Sequence, residues 1–228
     1  MSYPQHPESI ILKNKFYPSG VNQERIWNYY QQNKHNIINQ LKHRDVMLAI
    51  LTDINKPIIR RKLNNRFIKL THNNFDNIMT GRTIAIYSTM GYYDHKAIVD
   101  IDADTFEQSK VPTVEIYNIL NSASFIRNVS IRYTGKIGFH IICEFIRKMK
   151  INDIRMILER YLLSKIEIMK KYTVTPKRTR GIPNIDLWAS NKNKGAFITL
   201  HSLSIIGLKC MDVSPLKVKS FTQEQAKI

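Results

Sequence analysis

Ala97-Ile98-Val99-Asp100-Ile101-Asp102-Ala103-Asp104 is an apolar run that ends in alternating carboxylates. On an extended strand Val99 and Ile101 point one way and Asp100 and Asp102 the other. At a rise of about 3.3 Å per residue their Cβ atoms lie roughly 6.5–7 Å apart. Two acidic groups on one pleat face repel unless a positive charge sits between them. A divalent cation, which takes hard oxygen ligands, is the usual answer. The plain alternative is a strand that runs out into a solvated acidic turn.

Downstream, Thr134-Gly135-Lys136-Ile137-Gly138-Phe139-His140 frames a tight turn with two glycines and ends in a histidine on an apolar strand. Such a turn brings backbone N–H groups close to an anion. Thr134 adds a hydroxyl, Lys136 a charge, and His140 a donor for phosphate. A hairpin turn followed by a core histidine would look the same. A third element, Asn184-Ile185-Asp186-Leu187-Trp188-Ala189, places one carboxylate inside an apolar strand pattern. Burial of that charge is expensive, and either metal ligation or an ion pair with Arg178 or Arg180 would relieve it.

The 228 residues are enough for one large domain or two small lobes, and 43% hydrophobic content argues for a folded core. With 35 Lys and Arg against 18 Asp and Glu, the net charge of +17 makes a polyanion the natural partner. Nucleic acid is preferred over a membrane surface, because no basic amphipathic helix or long apolar segment stands out. Cys143 and Cys210 are too few for a disulfide framework or a cysteine-rich zinc site. Without an N-terminal apolar signal, the expectation is a soluble intracellular protein.

Prolines punctuate residues 1–20, which reads as an extended arm. Asn22 is expected to cap a helix to about Lys42, followed by a strand at Val46–Leu51 and a basic hairpin-like stretch over Lys56–Leu70. Strands are expected at Thr83–Ser88 and Lys96–Asp102, joined by a turn over Met90–His95. Pro112 suits the first turn of a short helix to about Ala123. Strands at Ser130–Tyr133 and Phe139–Phe145 precede a helix capped by Asn152 and running to about Tyr172. Three strand-like pieces close the chain, at Asn184–Ala189, Ala196–His201 and Leu208–Val213. Helices and strands mix without strict alternation, which points to an α+β architecture.

The acidic pair, the glycine-framed turn ending in histidine, and the single strand aspartate occur in an order that resembles the archaeo-eukaryotic primase superfamily. Its members include the small catalytic subunit of primase, the polymerase domain of bacterial ligase D, and stand-alone primase-polymerases. The resemblance implies an N-terminal α/β portion (1–90) packed on a C-terminal RRM-like mixed sheet (91–228). The two would form a single primase-polymerase catalytic domain with the active-site cleft between them. It implies that Asp100, Asp102 and Asp186 hold two Mg²⁺ or Mn²⁺ ions. No zinc is expected, since the zinc-binding Cys/His cluster that many primase small subunits carry does not appear in this sequence. Thr134, Gly135, Lys136, Gly138 and His140 would take the triphosphate, with Ser202 and Lys209 from the nucleotide-facing segment Leu200–Val213.

Arg60, Arg61, Lys62 and Arg66, with Lys177, Arg178 and Arg180, would track the template backbone, and Tyr92, Tyr93 or Trp188 would stack on a base or sugar. Two departures from the motif stand out. Thr134 replaces the serine of the family's Ser-Gly-x-x-Gly-x-His pattern, and Ser202–Gly207 carries serine and aliphatics where relatives place a basic residue. The implied activity is template-dependent nucleotidyl transfer by a DNA primase or primase-polymerase, acting on single-stranded or primed DNA with NTP or dNTP. Gap filling of the ligase-D type is the alternative, with a large primase subunit, a ligase or a helicase as a possible partner. A non-catalytic nucleic-acid-binding module is a further reading. A dehalogenase-type phosphatase is disfavoured because neither Thr nor Val stands two residues beyond the second Asp. A metal-dependent glycosyltransferase would leave the +17 charge and the framed histidine unexplained.

Overall fold

The structure, a computed structural model, describes residues 21–42, 44–51, 57–165, 171–174, 181–187 and 196–228. The arm 1–20, Lys177, Arg178, Arg180 and Trp188 lie outside the described residues. Helix α1 (Gln23–Leu41) begins where the Asn22 side chain accepts from the Arg25 amide at 2.8 Å. Its apolar face (Ile26, Tyr30, Ile37, Ile38 and Leu41) is buried. It covers a four-stranded antiparallel sheet ordered β10-β5-β1-β2. The strands are β1 (Val46–Leu51), β2 (Pro57–Arg60), β5 (Thr83–Thr89) and β10 (Ala196–Ile198). The basic stretch also forms a small hairpin, β3 (Lys62–Leu63) and β4 (Arg66–Phe67), turned by Asn64 and Asn65 at φ 49° and 62°. Asparagine tolerates that left-handed backbone better than most residues. A one-turn helix α2 (Phe75–Ile78) leads into β5.

The second sheet is ordered β11-β7-β8-β6-β9. It comprises β6 (Tyr93–Asp102), β7 (Ile126–Tyr133), β8 (Phe139–Lys150), β9 (Asn184–Asp186) and β11 (Met211–Val213). With α3 (Phe106–Asn121) and α4 (Ile151–Leu163), the run β6-α3-β7-β8-α4-β9 is a β-α-β-β-α-β unit of the RRM or ferredoxin-like kind. Every pair of named strands in both sheets is antiparallel, rather than mixed. On β6, Ala97, Val99 and Ile101 are buried in the core beneath α3 and α4. By strand alternation, Lys96, Ile98, Asp100 and Asp102 face the other way. β10 comes from the C-terminal half yet pairs with β5, so the first sheet is not built from residues 1–90 alone.

Three helix or turn boundaries differ from expectation. Pro112 lies well inside α3, which starts at a capping box: Thr105 Oγ1 accepts from the Gln108 amide and Gln108 Oε1 from the Thr105 amide. Proline removes one ladder donor. Nearby, the hydroxyls of Ser109 and Thr113 donate to the carbonyls of Phe106 and Ser109 at 2.6 and 2.7 Å. Asn152 is inside α4 rather than its cap, because β8 runs directly into the helix, and α4 ends at Leu163. Tyr93 to His95 extend β6 instead of forming a turn. Among the described residues, no helix is long and apolar enough to cross a membrane.

Candidate active site

The open face of the second sheet looks onto β5, β10 and the turn after His201. Asp100 and Asp102 project from β6 onto this face. Antiparallel pairing sets Asp186 of β9 directly across from Asp100 and Asn184 across from Asp102. Directly opposed Cβ atoms lie about 4.5–5.5 Å apart. The three carboxylates therefore share one corner of the sheet, each partly exposed. Burial, then repulsion by Asp102 and Asp186, holds the Asp100 carboxyl well above the usual carboxylate range. Among the described residues no three His, Cys, Asp or Glu side chains close into a ready-made cage. The donor chemistry nevertheless fits a hard divalent cation: oxygen only, and crowded enough to hold the Asp100 carboxyl up.

On the other flank of Asp100, His140 of β8 is its register neighbour, with Nε2 at 3.5 Å from Oδ1. His140 is 6% exposed. Burial and the nearby Arg132 pull its ring down to about 3, so it is neutral at physiological pH and the contact with Asp100 is not an ion pair. Its Nδ1 is buried with no hydrogen-bond partner.

The turn between β7 and β8 is braced through its carbonyls. Thr134 donates to Gly138 O from both its amide (3.1 Å) and its hydroxyl (3.0 Å). The Tyr133 hydroxyl donates to Lys136 O at 2.7 Å, and the Ser204 hydroxyl donates to Gly135 O. The amides of Gly135, Lys136 and Ile137 donate to none of the described residues. Carbonyls tied inward with amides left open is the backbone arrangement of the concavities that bind anions. Both glycines are required. Gly135 has φ +80°, with Leu208 O only 2.6 Å from where a Cβ would stand, and a Cβ on Gly138 would meet Ile101 O at 2.5 Å.

A recess of about 300 Å³ connects these parts. Asp100, Asp102, His140 and the 134–138 turn form one wall; Tyr87, Phe197 and Ser204 belong to the other. Tyr87 and Phe197 escaped the sequence reading, since an aromatic on a strand carries no mark that separates a cleft wall from core. Two expected nucleotide contacts are corrected. Ser202 is fully buried; it accepts from the Ile86 amide at 2.7 Å and donates to Leu203 O, which makes it a strut between β5 and the following turn. Lys209 does not line the recess, and its amide is tied to Ala226 O. Arg60, Arg61, Lys62 and Arg66 are exposed, beside the edge of the first sheet farthest from β10. Tyr92 and Tyr93 are half-exposed, packed edge-to-face on each other, and outside the recess.

The polymerase domain of Mycobacterium tuberculosis ligase D, solved in complex with DNA, superposes with a TM-score of 0.75. The match covers 91% of this chain and 88% of that one. The fold is that of a ligase-D polymerase domain. Sequence identity over the match is only 10%, so what the two share is architecture. No protein-family model matches the chain, and no curated protein does.

Proposed function

We propose that this protein is a template-dependent nucleotidyltransferase, a primase or primase-polymerase that joins nucleotides with release of pyrophosphate. The observation that carries the reading is that Asp100 and Asp102 line the same recess as the 134–138 turn, with Asp186 set opposite Asp100 by the register of β6 and β9. Carboxylates beside an anion cradle suit a nucleoside triphosphate with its metal ions. Asp100, Asp102 and Asp186 are the residues that would hold two Mg²⁺ or Mn²⁺ ions. Bound there, such ions would activate the attacking hydroxyl and neutralise charge on the leaving pyrophosphate.

The chain's own residues position the reactants. The amides of Gly135 to Ile137, with Lys136 and His140, hold the β- and γ-phosphates. Tyr87 and Phe197 close the opposite wall around the sugar and base. The 3′-hydroxyl oxygen bonds to the α-phosphorus, the α–β bridging bond breaks, pyrophosphate leaves, and the hydroxyl proton passes to solvent. Little covalent help is needed; positioning and charge stabilisation supply the acceleration.

A second reading, a gap-filling repair polymerase, is favoured by the fold shared with a ligase-D polymerase domain. One experiment tests both. The protein is incubated with Mn²⁺ or Mg²⁺, labelled ribo- or deoxynucleotides, and single-stranded DNA with or without a primer. Metal-dependent product on unprimed template supports the primase reading, and product only on primed or gapped template supports the second. Absence of incorporation from every nucleotide on every template would overturn both.

A further inference from the structure

Past Asp100, on the side away from Asp102 and Gly138, the same face of β6 continues through Ile98 and Lys96. A second recess of about 440 Å³ opens there, and Phe197 borders both spaces. Its floor includes Ile98, Ile142 and Leu200. Two of its cations are already engaged: Arg44 with Asp94 at 2.7 Å and Lys96 with Glu144 at 2.8 Å. Arg132 is ion-paired as well, with Asp212, but leaves donors spare. It is 9% exposed and lies beside His140 across the β7–β8 pair. Only its Nε is bonded among the described residues, to Asp212 Oδ1 at 3.0 Å. A nearly buried guanidinium whose terminal amino groups bond to none of the described residues keeps donors for a second anion beside Asp212. Lys42, exposed at the rim after α1, has no ion-pair partner among the described residues. Thr199 Oγ1, also at this recess, is buried without a partner.

We propose that this second recess seats the attacking nucleotide, its phosphate on Arg132 and Lys42 and its sugar and base against Phe197, Ile98 and Leu200. The inference rests on the nucleotidyltransferase reading. In phosphoryl transfer the attacking and leaving oxygens lie roughly in line. With the pyrophosphate drawn toward Gly135–Gly138, the attacking hydroxyl needs room beyond Asp100 on the other side, where this recess lies. The same chemistry, a nucleotide phosphate with a free 3′-hydroxyl, is offered by a primer terminus and by a free nucleotide that starts a chain.

Steady-state kinetics on primed template and on unprimed template separate these sources, with Arg132→Met and the exposed Lys42→Glu as variants. Both variants are expected to raise the KM for the primer terminus, or for the initiating nucleotide, on the order of tenfold, as loss of a charge-assisted bond would. The KM for the incoming nucleotide should stay within about twofold. Equal shifts in both KM values, or no shift in either, would overturn the proposal. Should the wild-type protein incorporate nothing, the nucleotidyltransferase reading fails, and binding decides this inference alone. Fluorescence polarisation then compares a linear oligonucleotide with circular single-stranded DNA, which has no terminus. Weaker binding by Lys42→Glu of the linear form only supports the recess; equal weakening on both, or none, removes it.

Discussion

Asp186 stands directly opposite Asp100 across the antiparallel β6–β9 pair, although most of the second sheet and α4 separate them in the chain. The pairing places two carboxylates within contact range on one face, with Asp102 one pleat further along. Asp100→Asn and Asp186→Asn keep the shape and remove one carboxylate charge each, which the proposed mechanism uses to hold metal. Each is expected to reduce nucleotide incorporation by on the order of a hundredfold or more, as loss of a preorganised charge-stabilising group does. Binding to single-stranded DNA should change little. Incorporation at the wild-type rate by either variant would remove these residues from the reaction.

The same crowding makes a stability prediction. The Asp100 carboxyl is held above its ordinary range by burial and by its two acidic neighbours. The folded protein therefore binds that proton more tightly than the unfolded chain does. Metal-free stability attributable to this group is present at low pH and falls as pH rises through the folded-state value. Asp100→Asn should flatten that slope and melt higher than the wild type in chelator at neutral pH. Added Mn²⁺ should raise the melting temperature of the wild type more than that of the variant. A metal-free Asn variant that melts below the wild type at neutral pH would contradict this account.

His140 titrates far below its ordinary value, at about 3, because it is buried and faces Arg132. In metal-free protein its ring proton signals should show no inflection between pH 5 and 8, read by NMR. On the proposed phosphate role, His140→Ala should raise the KM for the incoming nucleotide with a smaller effect on kcat, since a neutral donor would bind ground and transition state alike. A kcat loss that exceeds the KM change would assign the ring a different role.

Much of this arrangement is legible in the sequence itself. The alternation in Ala97–Asp104 separates a buried face from an acidic one because a strand's period is two. The paired glycines of Gly135–Gly138 mark a turn because the backbones of Leu208 and Ile101 leave no room for a Cβ. What the sequence hides is long-range. Nothing local says that β10 crosses back to pair with β5 and carries Phe197 into the cleft. Ser202 and Ser204 look alike in Ser-Leu-Ser-Ile-Ile-Gly, yet one is a buried strut and the other braces the 134–138 turn. The start of α3 is written in Thr105 and Gln108, while Pro112, a residue that favours first turns, sits in the helix interior.

Ser202 offers a direct check on that distinction. Ser202→Ala leaves the buried Ile86 amide without its acceptor, a loss of about 1–3 kcal/mol. Chemical denaturation should show the destabilisation, while the KM for nucleotide in the folded fraction stays at the wild-type value. A raised nucleotide KM with unchanged stability would restore Ser202 to the binding site.

The exposed cations Arg60, Arg61, Lys62 and Arg66 stand away from the recess, so their contribution to a polyanion partner is electrostatic and independent of sequence. Neutralising all four to Gln leaves the buried core untouched, because none packs into it. For single-stranded DNA, each phosphate that is no longer neutralised lowers the magnitude of the slope of log affinity against log salt by about 0.7. The fourfold variant should thus bind more weakly at low salt and show a flatter salt dependence, with the nucleotide KM unchanged. Polarisation titrations over a range of NaCl concentrations read this directly. An unaltered slope would mean that the template follows another surface of this +17 protein.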